Sequence, residues 1–86
     1  MTIEEIRREI DRIDDRVAEL LEKRMELTDE IGRQKAKSLE PVRDEKRERA
    51  VTDRITRGMT DRDRDAVARV YERVFEVSRS RQERLR

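Results

Sequence analysis

The sequence predicts an all-α fold, and three observations carry the prediction. Apolar side chains recur at Ile3, Ile6, Ile10, Ile13, Val17, Leu20, Leu27 and Ile31, in steps of three and four that mark one helix face. Helix breakers are scarce, with one proline and two glycines in 86 residues. Two threonines followed three residues later by an acid, Thr2 with Glu5 and Thr60 with Asp63, read as helix starts.

These signals divide a single domain, residues 1–86, into one long and two shorter helices. The first runs over about 3–37, opened by the Thr2–Glu5 capping box. It carries Gly32 inside it at a cost of about 1 kcal/mol. Ser38, Leu39, Glu40 and Pro41 make a short loop. The second helix covers about 43–57 and turns Val51 and Ile55 inward. After a turn at 58–61 the third covers about 61–85, with Val67, Val70, Tyr71, Val74, Phe75, Val77 and Leu85 as its apolar residues.

Composition narrows the function. Only 33% of residues are hydrophobic and 52% are charged, so a lone chain of this size is poorly stabilised. Low hydrophobicity alone favours disorder, but a net charge of only +1 and strict apolar periodicity argue for a folded chain. Without cysteine there are no disulfides or thiolate metal sites, and without histidine the usual neutral-pH proton shuttle is missing. No apolar run approaches the ~20 residues of a membrane span or resembles a signal peptide, which gives a cytoplasmic protein as the expectation. The 23 basic and 22 acidic residues are interspersed, so no face is set aside for nucleic acid.

The first helix is also too long for its domain. About 35 residues at 1.5 Å each span ~52 Å, against a diameter near ~30 Å for a compact chain of this length. A helix that overshoots its own domain and carries an apolar seam wants another helix beside it, and a homodimer is the simplest answer.

Several polar residues interrupt the apolar stripes. Arg24 takes the seam step between Leu20 and Leu27, where a buried guanidinium costs several kcal/mol unless an anion meets it. Lys35 follows 11 residues later, within about 20° of the same face. The inward stripe of the third helix continues through Ser78 and Gln82, and in the second Asp44, Arg47 and Glu48 line up with Val51 and Ile55. Each has a plain structural explanation: Arg24 as a register device, Asp44 as a favourable helix-start charge, Glu48 as surface. Together they put cations, a carboxylate and neutral donors on the inward faces of three helices. With acid–base, covalent and metal-assisted chemistry lacking their usual parts, a preorganised pocket for a compact anion remains. Arg7 lies ~42 Å along the helix from Lys35, so only a partner's pocket is within its reach.

The runs IRREIDRIDDRVAELLEKRMELTDEIGRQKAK and PVRDEKRER, with the late Ser78-x-x-x-Gln82, resemble the all-helical class of chorismate mutase over about residues 3–85. The resemblance implies an intertwined homodimer of three-helix chains, each of two sites borrowing one arginine, here Arg7, from the partner subunit. It implies that Arg24 grips a substrate carboxylate and that Lys35 and Gln82 meet the ether oxygen of the breaking bond. Glu48 is then expected at the ring hydroxyl, helped by the backbone around Asp44, with Ser78 and Arg47 completing the carboxylate contacts. Arg79 stands where this family usually carries an apolar residue.

The implied reaction is the Claisen rearrangement of chorismate to prephenate, toward phenylalanine and tyrosine. It needs no metal or cofactor, only selection of the reactive conformer and stabilisation of charge growing on the ether oxygen. The alternatives are an isochorismate–pyruvate lyase of the same fold and a non-catalytic helical dimerisation module in which Arg24 only sets register.

Overall fold

Thr2 opens the molecule in the computed structural model, which describes residues 1–86. Its hydroxyl accepts from the Glu5 backbone N–H at 3.1 Å while the Glu5 carboxylate accepts from the Thr2 N–H at 3.3 Å. With these first-turn donors satisfied, α1 runs unbroken over Ile3–Ser38, 36 residues. At 1.5 Å per residue that is about 54 Å, and the longest dimension of the molecule is 53 Å. One helix therefore sets the length of the whole chain. The radius of gyration is 15.8 Å, where a compact domain of this size has about 12 Å.

Leu39 ends α1 in the left-handed region (φ 60°), its N–H returning to the Lys35 carbonyl. Two further helices follow, α2 (Glu45–Ile55) and α3 (Asp61–Glu83), and there are no strands. α2 is shorter than its expected span of 43–57. Its start is fixed by Asp44, whose carboxylate accepts from the Arg47 N–H at 2.9 Å, leaving Val42 and Arg43 in the preceding loop. At its far end Thr56 caps the helix, and the turn closes through Gly58 at φ 84°, a conformation that a Cβ would strain. α3 opens on Thr60 as read from the sequence but stops at Glu83, short of Leu85.

α3 packs along the second half of α1, and α2 packs more sparsely on α3. On α1 the residues covered by the chain itself are Leu21, Arg24, Met25, Thr28, Asp29, Gly32, Lys35 and Ala36. The apolar ladder is not among them: Ile3, Ile6, Ile10, Ile13, Val17, Leu20, Leu27 and Ile31 are all exposed, from 43% at Ile6 to 68% at Leu27. A seven-residue repeat drifts by about 20° per heptad around a straight helix. The ladder thus diverges from the face that meets α3 along the second half of α1. Only Val42, Val51 and Phe75 are buried hydrophobics, so the chain's own core is small.

Candidate functional site

A cavity of about 230 Å³ opens among the three helices. α1 lines it with Arg24, Thr28, Ile31 and Lys35, and the following loop with Val42 and Asp44. α2 supplies Arg47, Glu48 and Val51, and α3 supplies Phe75, Ser78, Arg79 and Gln82. Four basic side chains thus face two carboxylates, an excess of positive charge suited to an anion.

Arg24, the cation that interrupts the ladder, reaches the cavity. Its guanidinium turns to α3, donating to Ser78 Oγ at 3.0 Å. It also lies 5.7 Å from the centroid of Tyr71 and 5.6 Å from that of Phe75. Those rings meet edge to face, with centroids 5.6 Å apart, and form a wall that favours a cation. The reason is angular: Arg24 stands at the border between the drifting ladder and the face packed on α3, and its long side chain takes the polar side.

Lys35, in the last turn of α1, donates from Nζ to the Val42 carbonyl at 3.0 Å. This bond ties the α1–α2 loop to the cavity wall and keeps the ammonium at the cavity. Val42 itself is buried beneath it, and Asp44 holds the start of α2 two residues on. Glu48 and Arg79 pair across α2 and α3 at 2.5 Å.

Gln82 is only 6% exposed, and its side-chain oxygen has no hydrogen-bond partner within the protein. A buried amide group left unmatched is costly unless something outside the chain meets it. Its position depends on Gly32, because a Cβ at residue 32 would lie 2.9 Å from Gln82 Cγ. The helical glycine therefore lets Gln82 of α3 pack directly on the backbone of α1.

The cavity brings together Arg24, Lys35, Asp44, Arg47, Glu48, Ser78 and Gln82. Arg7 is not among them: it lies on the exposed first half of α1, 17 residues or about 26 Å from Arg24 along the helix. Sequence reasoning did not assign Arg79 or Gly32 to the site. Helical spacing places Arg79 one step from Ser78, but only the crossing of α2 and α3 reveals its partner.

A second ion pair lies outside the cavity. Arg81 Nε and Nη2 donate to the two carboxylate oxygens of Asp29 at 3.0 and 2.5 Å, clamping α3 to α1. The hydrogen bonds from Arg81 hold the Asp29 carboxyl below its ordinary range against partial desolvation, aided by the charges of Arg81 and Arg33. Arg81 is correspondingly raised by the same bonds.

The fold and cavity define a class: a small all-helical protein with a cation-rich, partly enclosed pocket lined in part by Gln82, whose side-chain oxygen is unpartnered. A family model for chorismate mutase type II matches residues 6–83, and the chain belongs to that family. No individual curated protein and no solved structure matches it. No helix is long and apolar enough to cross a membrane.

Proposed function

We propose that this protein is a chorismate mutase, an isomerase that converts chorismate to prephenate in aromatic amino acid biosynthesis, in the cytoplasm and as an intertwined homodimer. What carries the reading is one observation. In a chain of this family, Arg24, Lys35, Ser78 and Gln82, whose buried side-chain oxygen has no partner in the protein, converge from α1 and α3 on one cavity.

In this proposal Arg24, Arg47 and Ser78 take the substrate carboxylates, with Arg7 of the partner subunit closing the site. Lys35 Nζ and Gln82 Nε2 donate to the ether oxygen as the C–O bond lengthens, where charge accumulates. Glu48 accepts from the ring hydroxyl beside the backbone at Asp44. No base, nucleophile or cofactor is required, because the bond that forms and the bond that breaks lie within one substrate held in its compact conformer. A millionfold acceleration corresponds to about 8 kcal/mol of differential binding, within reach of a few charge-assisted contacts and preorganisation.

The exposed ladder from Ile3 to Ile31 supports the dimer. An apolar stripe along a full-length helix exceeds what a monomer leaves open to water, and burying it against a second copy supplies the core that Val42, Val51 and Phe75 alone do not.

The test is chorismate consumption by the purified protein with the product identified, beside Arg24→Ala. Prephenate from the parent and a loss of turnover by a factor of about 10²–10³ in the variant is the expected result. Salicylate and pyruvate from isochorismate instead would move the protein to lyase chemistry. A folded dimer with no turnover would leave a binding or dimerisation module.

A further inference from the structure

The pair between Arg79 and Glu48 joins two helices, as Arg81–Asp29 does, but it lies in the cavity. Arg79 Nη1 donates to Glu48 Oε2 at 2.5 Å, with the two side chains only 26% and 21% exposed. It joins α2 to α3, and both residues line the cavity. Glu48 is anchored from behind as well, its backbone carbonyl accepting from Thr52 Oγ1 at 3.1 Å.

A carboxylate on the wall of an anion site is a liability. At this depth it is only partly screened and repels a dianion, so a site that keeps one needs a means of neutralising it. Arg79 provides that means and does so directionally, because it occupies Oε2 and leaves Oε1 as the acceptor without a protein partner. A carboxylate in this state accepts a hydrogen bond from a hydroxyl while adding little net repulsion.

We propose that Arg79 is a specificity-determining positioning residue that acts through Glu48. It cancels the carboxylate's charge and fixes its free oxygen for the hydroxyl of a dianionic ligand. The identity of that ligand rests on the mutase reading above, whereas the coupling of Arg79 to Glu48 is a property of the cavity itself.

The experiment is a double-mutant cycle between Arg79→Leu and Glu48→Gln. It is read as the dissociation constant of a dicarboxylate analogue of the rearrangement's transition state, measured by titration calorimetry, alongside KM and kcat with chorismate. With Glu48 present, Arg79→Leu is expected to weaken analogue binding and raise KM by about tenfold, while kcat changes by no more than about threefold. In the Glu48→Gln background the same substitution costs no more than about twofold, because no charge remains to cancel. Arg79→Lys recovers most of the loss. Should Arg79→Leu fail to fold, Arg79→Gln in both backgrounds makes the same comparison.

Equal losses in the two backgrounds would mean that Arg79 meets the ligand directly, and no loss in either would make the pair purely structural; both overturn the proposal. A parent that binds the analogue without turning over chorismate sinks the mutase reading while the cycle still decides the pair. A parent that does neither removes both.

Discussion

Gly32 and Gln82 touch across the α1–α3 interface, and a single added carbon at residue 32 would lie 2.9 Å from Gln82 Cγ. Gly32→Ala therefore sets two effects against each other. Alanine improves helix propensity by about 1 kcal/mol, whereas overpacking a tight contact costs about 1–3 kcal/mol. The contact is with Gln82 Cγ, Cβ and Cα, so relief requires displacing α3 and not merely a side-chain end. We expect a small net change in melting temperature with helicity retained. Turnover should fall about 10²-fold, since a displacement near 1 Å at a positioned group is worth that much. Unchanged kcat in a well-folded Gly32→Ala variant would detach Gln82 from the chemistry.

The partner's contribution is testable by mixing. If each site combines Arg24 of one chain with Arg7 of the other, Arg7→Ala and Arg24→Ala homodimers are both inactive. Random exchange makes half the dimers hybrid, each with one intact site of two, so activity returns to about a quarter of the parent's. No recovery after verified subunit exchange would place Arg7 outside the site. Charge on the ladder, as in Ile10→Asp with Ile13→Asp, should shift sedimentation toward monomer and abolish turnover with it.

Asp29 predicts how the fold responds to acid. Its carboxyl is depressed below the ordinary carboxylate value by the hydrogen bonds from Arg81. A lowered folded-state value means that the contribution is fully present above that ordinary value and is lost as pH falls through the folded one. The parent should therefore lose stability in acid below about pH 4 more steeply than Asp29→Asn, measured by urea midpoints across pH. At neutral pH the parent should be the more stable of the two. Parallel curves for the two proteins would remove the Arg81 clamp as a source of pH dependence.

A ligand that binds only the folded state must stabilise it. At a free concentration a hundred times its dissociation constant, the dicarboxylate analogue adds about 2.7 kcal/mol. For a chain of this size that raises the melting temperature by on the order of 10 °C. Arg24→Ala should lose most of this shift while melting normally without ligand, and an equal shift in parent and variant would place the analogue elsewhere.

Much of this was legible in the sequence because it is local. Thr2 with Glu5 and Thr60 with Asp63 are three residues apart, and each pair opens a helix where the spacing said it would. The limits of α2 were less legible, because Asp44 suits both a first helical turn and the cap before it. Lys35, Ser78 and Gln82 were readable as polar interruptions of apolar stripes. The direction taken by Arg24 was not: periodicity gives its angle on the helix, but a border residue can turn to either neighbour. The pairs Arg79–Glu48 and Arg81–Asp29 join residues 31 and 52 positions apart and follow from helix crossings that no spacing rule encodes. The same holds for Gly32, which reads as a flaw in a helix until the helix it admits is known.

The bond from Lys35 Nζ to the Val42 carbonyl has a consequence for how the pocket comes into being. An ammonium carries three protons, and one of them is already committed to the loop that turns the chain from α1 into α2. The remaining two are aimed by that commitment before any ligand arrives. Ordering the hinge and arming the cation are thus a single event, and a chain with a loose hinge would also be a chain with a wandering charge. Changes in the 39–44 loop that leave every cavity side chain untouched should then register first as slower chemistry, and only later as lost stability.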